Sequence, residues 1–336
     1  MKAQAVYAAK ADTVELQDFE IDESALDANQ VLLKTAYSVI SPGTELDCVS
    51  GREASWFHFP QQLGYCAVAK VIAVGGQVAA YQVGDTVLSS TAHASHATID
   101  AASLRAKVPP DIDRKLASLV HIVLISITAL RVSSVELGDR VAVLGQGLVG
   151  NLAAQLFGLQ GGRVIAIDRL PGRLEVAKKC RIEMVVDASQ GDPVQTVKDL
   201  TGGDGAEVVV EATGSAAAAL QAAQMAARNG EVILLGTPRG SYEADVVPLL
   251  RAVHRASPNL TIKGAHGYSI PQTPDPYVKH SVARNATLVL DMVRRGELVL
   301  VPLISRIAKP AEAAEVYREL RDNPESLLGV VFDWGD

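Results

Sequence analysis

Short runs of β-branched and aliphatic residues alternate with longer helix-compatible stretches through the second half of the chain. Residues 140–144, 163–168, 184–186, 207–211, 231–235 and 260–264 read as strands. Residues 148–158, residues 172–180 and an alanine-rich stretch ending at Arg228 read as helices among them. Near-continuous apolar strands alternating with helices predict a parallel, doubly wound sheet. Up to about residue 115 the texture differs. There, residues 2–7, 30–38, 66–74 and 83–88 are short strand candidates between Gly and Pro turns, which predicts a small barrel-like β domain. A buried helix is expected over 116–130. After a Pro-rich stretch at 268–277 come a helix to Arg295, a segment at 299–304, a helix near 310–321 and a strand at 329–333. This part reads as chain returning to complete the first domain. The expected division is 1–124 with 267–336 for a discontinuous outer domain and 125–266 for the doubly wound one. The cleft between two such domains is a favoured place for a ligand.

The loop Gly145-Gln146-Gly147-Leu148-Val149-Gly150 stands between the first of the parallel strands and its helix. Glycine at its three positions suits a tight turn, close approach of backbone to a pyrophosphate, and closure of helix on strand. The helix N-terminus then offers free N–H groups and the positive end of its dipole. Asp168 ends the next strand, where an acid bonds the hydroxyls of an adenosine ribose and repels a 2′-phosphate. That favours NAD over NADP. Arg169 and Arg173 follow, and either could reach a phosphate. Thr213 and Gly214, then Gly236 and Thr237, end two later strands, where open parallel sheets bind their ligands. The competing reading is a doubly wound domain whose glycines serve packing alone.

Composition narrows the function classes. The 336 residues carry a formal charge of −7 with no run of like charge, and aromatic residues are 4% of the total. Nucleic acid and anionic membrane are therefore not expected as partners. The N-terminal residues lack a signal-peptide core, and no apolar run is long enough to span a bilayer. Three cysteines, Cys48, Cys66 and Cys180, have no C-x-x-C spacing and form no disulfide framework. A cytoplasmic protein acting on a small molecule is the expectation.

Four segments then resemble, in order and spacing, the medium-chain dehydrogenase/reductase superfamily, and the resemblance covers nearly the whole chain. Gly43-Thr-Glu-Leu46 with Gly51 resembles its C-G-T-D-L-H-x-x-x-G stretch. Residues 63–75 resemble L-G-H-E-x-x-G-x-V-x-x-V-G, Tyr81–Val87 the V-G-D-x-V turn, and residues 137–150 the cofactor loop. The narrower run Ser41-Pro-Gly-Thr-Glu45 is also similar to a branch that includes bacteriochlorophyllide hydroxyethyl dehydrogenases. The resemblance implies a Rossmann domain with a GroES-like β-barrel catalytic domain, and a homodimer paired through the last strand of the parallel sheet. It also locates departures. The family's zinc ligands fall at Pro42 (or Ser41 if the register slips by one), at Tyr65 and at His121, and the neighbouring Glu is Cys66. Proline donates nothing, so no catalytic zinc is expected; a Cys66–His121 metal pair is the alternative. The four-cysteine structural zinc lobe is absent as well.

Without a Lewis acid, a side chain must polarise the substrate oxygen and manage its proton. Thr44, Tyr65 and His121 are the candidates, with His121 as general acid/base. The alternatives are a turn residue, a cavity-filling ring and a buried structural histidine. Glu45, Trp56 and Cys66 are assigned to the substrate pocket, with Phe57, His58 and Phe59 as a wall or a hydrophobic plug. Asp47 reads as a solvated turn carboxylate, and His93 and His96 as surface residues. The expected function is zinc-independent, NAD-dependent interconversion of a secondary alcohol and a ketone on a polar metabolite. An NADPH-dependent quinone or enone reductase and a non-catalytic NAD(H) sensor are the alternatives.

Overall fold

The computed structural model describes residues 1–51 and 57–335. Met1–His121, Pro271–Gly296 and Leu303–Asp336 form one compact unit; Ile122–Ile270 and Glu297–Pro302 form a second.

In the first unit, β1 (Lys2–Lys10) and β2 (Thr13–Glu20) make an antiparallel hairpin, with Asp12 at φ 56° in the turn. The long strand β3 (Gln30–Val39) leads through Ile40 and Ser41 to Pro42, which starts helix α1 (Pro42–Ser50). The sequence reading made this stretch a turn. Pro at the first helical position and Gly51 at φ 73° after the last are the signals that bound it as a helix. Then come β4 (Gln61–Gln62), β5 (Ala67–Val74), β6 (Thr86–Ser89), β7 (His96–Asp100) and β8 (Ala106–Lys107). Helix α2 (Arg114–Ser118) is capped by Asp113, and α3 (Val120–Val132) leads into the second unit.

The second unit is built of βα repeats. Its strands are β9 (Arg140–Leu144), β10 (Arg163–Asp168), β11 (Met184–Asp187), β12 (Ala206–Glu211), β13 (Ala226–Leu234) and β14 (Thr261–Gly264). Between them run α4 (Leu148–Leu159), α5 (Pro171–Lys179), α6 (Pro193–Leu200), α7 (Ala216–Met225) and α8 (Val247–His254). The six strands form one parallel sheet in the order β11-β10-β9-β12-β13-β14. The central strands are buried on both faces, as their apolar runs require. The alanine-rich helix stops at Met225 rather than Arg228, because Ala226 is extended and pairs with Ala206. Ladder pairing there overrides alanine's helix propensity.

The chain then returns through α9 (Val282–Arg294), β15 (Ile304–Ala308), α10 (Ala313–Asp322) and β16 (Gly329–Asp333). One sheet of the first unit has the order β15-β16-β3-β5-β6-β8 with β7 also on β3; the other is β2-β1-β4. Val6, Ile40, Leu63, Tyr317, Val330 and Phe332 lie at the centre of the core they enclose. The return is not continuous as the sequence reading drew it. Residues 297–302 belong to the second unit, where Gln155 bonds both the N–H and the C=O of Val299, at 2.8 and 3.1 Å. Among the described residues no helix is long and apolar enough to cross a membrane.

Candidate functional site

In the second unit the glycine loop has a distinct reason for each glycine. Gly145 sits at φ 88°, and a side chain there would meet Thr213 at 2.8 Å. A Cβ on Gly150 would lie 1.9 Å from the Gly145 carbonyl oxygen, so helix α4 closes on the loop only without one. Gly147 is different: its nearest foreign atom is Nη1 of Arg173, at 4.0 Å. Protein packing leaves Gly147 space, and it is the residue at the N-cap of α4, whose first N–H groups have no side-chain cap. Leu148 is buried and Val149 half-buried in the first turn. An open backbone surface at the head of a twelve-residue helix suits a pyrophosphate.

Asp168 lies at the C-terminal end of β10 and is buried. Its carboxylate accepts from the N–H of Gln146 at 2.7 Å and from that of Leu170 at 2.9 Å. Nη1 of Arg173 stands 3.7 Å from the same group, whereas Arg169 is exposed. The acid is thus fixed beside the glycine loop. Gln146 is fully buried, and its side-chain amide donates to the Val143 carbonyl.

Gly214, Gly236 and Thr237 come together. A Cβ on Gly214 would lie 2.4 Å from the Thr237 carbonyl, and one on Gly236 would lie 2.3 Å from the Gly214 nitrogen. Thr213 and Thr237 themselves are exposed. The residue that shapes this turn was missed in the sequence. Glu211, buried at the end of β12, accepts from the N–H groups of Thr213 and Gly214 and from the Thr213 hydroxyl. Burial raises its carboxyl above the ordinary glutamate range. A carboxylate closing the run Val-Val-Val-Glu was the available signal.

In the first unit, three candidate residues converge. The Ser41 and Thr44 side chains, at the start of α1, stand near enough to the Tyr65 hydroxyl to favour its ionised form slightly. The Tyr65 and His121 rings meet edge to face, 5.6 Å between centroids. Burial pushes the Tyr65 phenol well above its ordinary range, so it stays protonated. Burial, and then the Arg105 cation, push the His121 imidazole down to about 3. Its Nδ1 is buried without a hydrogen-bond partner. An imidazole neutral at pH 7 has no proton to lend as imidazolium, which weighs against the acid half of the role expected for His121. Arg105, next to β8, was not singled out in the sequence and belongs to no local motif; Ser41 was read only as an alternative register for a ligand position.

The remaining pocket assignments fall differently. Cys66 is fully buried, and burial followed by the Glu45 charge raises its thiol well above the ordinary range. Glu45 does not line a pocket as a free acid. It is buried, with one oxygen accepting from the Ser41 N–H at 2.7 Å and the other bonded to His93 Nε2 and the Tyr317 hydroxyl. Asp47 is buried at 4% exposure rather than solvated, because the turn is a helix packed inward. His93 is completely buried rather than on the surface, since its backbone joins Val6 and Leu63 and its ring finds polar partners inside. Phe57 lies in the core with Phe59 edge-on at 5.6 Å, which favours the plug over the wall. Trp56 lies outside the described residues.

The donor set does not fit a tetrahedral zinc. Pro42 opens a helix and has no donor, and burial holds both the Tyr65 phenol and the Cys66 thiol protonated. Among the described residues no three His, Cys, Asp or Glu side chains are grouped to hold a metal ion.

Residues 149–282 match the family model described as zinc-binding dehydrogenase. An uncharacterized zinc-type alcohol dehydrogenase-like protein of Haemophilus influenzae is 26% identical over 68% of this chain and 61% of its own. Erythritol/L-threitol dehydrogenase of Mycolicibacterium smegmatis is 32% identical over 32% of this chain and 30% of its own. The matched regions thus span less than two thirds of these curated relatives. A crystal structure from Sinorhizobium meliloti, described as a zinc-binding dehydrogenase bound to NADP, has a TM-score of 0.83 at 21% identity, covering 99% of both chains. That likeness shows the fold, a Rossmann unit with a GroES-like one.

Proposed function

The chain belongs to the medium-chain dehydrogenase/reductase superfamily, and on that premise we propose a zinc-independent, NAD-dependent oxidoreductase that interconverts a secondary alcohol and a ketone. The observation that carries the reading is the Tyr65 ring set edge to face on His121 at 5.6 Å, with Ser41 and Thr44 near its hydroxyl, where the family's metal ligands would be. Bound nicotinamide would supply or accept the hydride; the protein's own residues must hold the ring in place and move one proton. Gly147 and the first turn of α4 would carry the pyrophosphate, and Asp168 the adenosine ribose. In the reducing direction the Tyr65 O–H would donate to the carbonyl oxygen. Burial opposes a lasting phenolate, so the proton that the phenol gives up must be replaced from water, with the Ser41 or Thr44 hydroxyl passing one on to Tyr65 as it takes one from solvent. His121, neutral, would shape one side of the same site, with one ring nitrogen donating and the other accepting a hydrogen bond.

Asp168 supports NAD over NADP, since a 2′-phosphate beside a buried carboxylate meets like charge. Three free, buried cysteines agree with a reducing cytoplasm. Polar hydroxyls at the site favour polar secondary alcohols: sugars, cyclitols or natural-product intermediates. We assign the protein no nucleic-acid or membrane partner, and a homodimer paired at β14, the outer strand of the parallel sheet. The test is Tyr65→Phe beside Thr44→Val. The reading expects ketone turnover to fall by about a hundredfold with NADH affinity unchanged. Unchanged turnover would end it.

A further inference from the structure

We infer that His93 and Glu45 are positioning residues for the Tyr65 hydroxyl, through a buried hydrogen-bonded chain that fixes both sides of the Tyr65 contact at once. The inference rests on the reading of Tyr65 as the proton donor. The chain starts at Trp334, whose Nε1 donates to Ser38 Oγ at 2.9 Å. Ser38 Oγ lies 2.8 Å from His93 Nδ1, and His93 Nε2 lies 3.0 Å from Glu45 Oε2. Tyr317 donates to that same oxygen, and the Ser41 N–H donates to the other. Ser38 and His93 are 0% exposed, and Glu45 is 2% exposed. An indole N–H can only donate and a carboxylate can only accept, which sets the direction of the chain and puts a proton on His93 Nε2.

Two contacts make the chain relevant to Tyr65. First, Glu45 holds the N–H of Ser41, and Ser41 and Thr44 are the residues whose side chains stand near the Tyr65 hydroxyl. The carboxylate therefore fixes the start of α1 on which both hydroxyls stand. Second, the His93 ring lies against Gly64, the residue before Tyr65. A Cβ there would fall 2.5 Å from its Cδ2, and Gly64 has φ 89°. One imidazole thus sets the backbone that presents the phenol and anchors the carboxylate that presents its partners. A core histidine needs only one such contact, and apolar residues would fill the space without the cost of burying polar groups. Ser38, His93, Glu45 and Tyr317 are enclosed and so do not touch substrate; their effect passes through Tyr65.

The test uses the full chain labelled with 13Cζ-tyrosine, with the Tyr65 resonance assigned by its loss in Tyr65→Phe. Ser38→Ala, Glu45→Gln and His93→Gln are each expected to shift that resonance; Ser38→Ala is the mildest should either of the others fail to fold. An unmoved Tyr65 line in the folded variants overturns the inference, whether or not any ketone is turned over. With a ketone the wild type reduces, His93→Gln is expected to lower kcat about tenfold with KM and NADH affinity unchanged, and to cost nothing further in a Tyr65→Phe background. A loss that multiplies with that of Tyr65→Phe, or one confined to KM, would mean that His93 serves the fold alone. Absence of ketone turnover in the wild type would count against Tyr65 as donor, leaving the resonance to decide the positioning.

Discussion

The Asp168 carboxylate accepts the main-chain N–H of Gln146 at 2.7 Å, so the residue expected to meet a ribose is also tied to the loop expected to meet the phosphates. Asp168→Asn keeps the shape and removes the charge. It should weaken NADH binding by about tenfold, ~1.4 kcal/mol, and narrow the gap between NADH and NADPH. Fluorescence titration with both nucleotides measures this. A variant that still rejects NADPH as strongly as the wild type would show that the charge does not set the preference.

Gly147 and Gly150 should separate on substitution. An added methyl group at Gly147 meets nothing nearer than 4.0 Å, whereas at Gly150 it lies 1.9 Å from a backbone oxygen. Gly147→Ala should fold with Tm close to wild type and bind NADH at least about tenfold more weakly. Gly150→Ala should lose about 3 kcal/mol or more of stability, since backbone must move. Thermal melts and nucleotide titration distinguish the two. Equal stability losses would mean that both glycines serve packing alone.

His121 should leave a mark on acid stability. Its folded-state value, held down to about 3 by burial and then by Arg105, lies below the ~6.5 of an unfolded histidine. Between these values the unfolded chain binds more protons. The stability associated with neutral His121 is therefore whole above pH ~6.5 and is lost as pH falls toward 3, with a slope of up to ~1.4 kcal/mol per pH unit. Urea unfolding of His121→Asn from pH 4 to pH 7.5 should show a shallower decline than the wild type. Parallel curves would place His121 in a more open setting.

The proposed dimer has a surface to match. β14 ends the parallel sheet with Ile262 exposed, and α8 carries Val247, Leu250 and Val253 exposed, with no residue of that helix buried. Leu250→Glu with Ile262→Lys should convert a dimer to monomer in sedimentation without lowering secondary structure content. A wild type that sediments as a monomer would remove the proposal.

What the chain order made legible was whatever backbone geometry writes into neighbouring residues. Gly150 closes on Gly145 within one βα turn, Gly147 stands between them at the head of α4, and Asp168 ends the very next strand, so spacing alone made the loop and its acid legible. The first unit hid more. His93 meets Glu45 across 48 residues, and Glu45 meets Tyr317 across 272. No local pattern links them, which is why His93 read as a surface residue and Asp47 as solvated. The Tyr65–His121 contact was approached only through the family resemblance, and the physical state of His121 followed from burial that the sequence does not display. The helix α7 ended early for a similar reason, because Ala226 answers to Ala206 on a different strand.

The most direct test of a metal-free NAD enzyme is oxidation of NADH and NADPH, in excess chelator, against matched panels of ketones and enones. The account predicts turnover of a polar ketone with NADH, undiminished by chelator and lost in Tyr65→Phe. Activity abolished by chelator and restored by zinc would contradict it, as would enone reduction confined to NADPH.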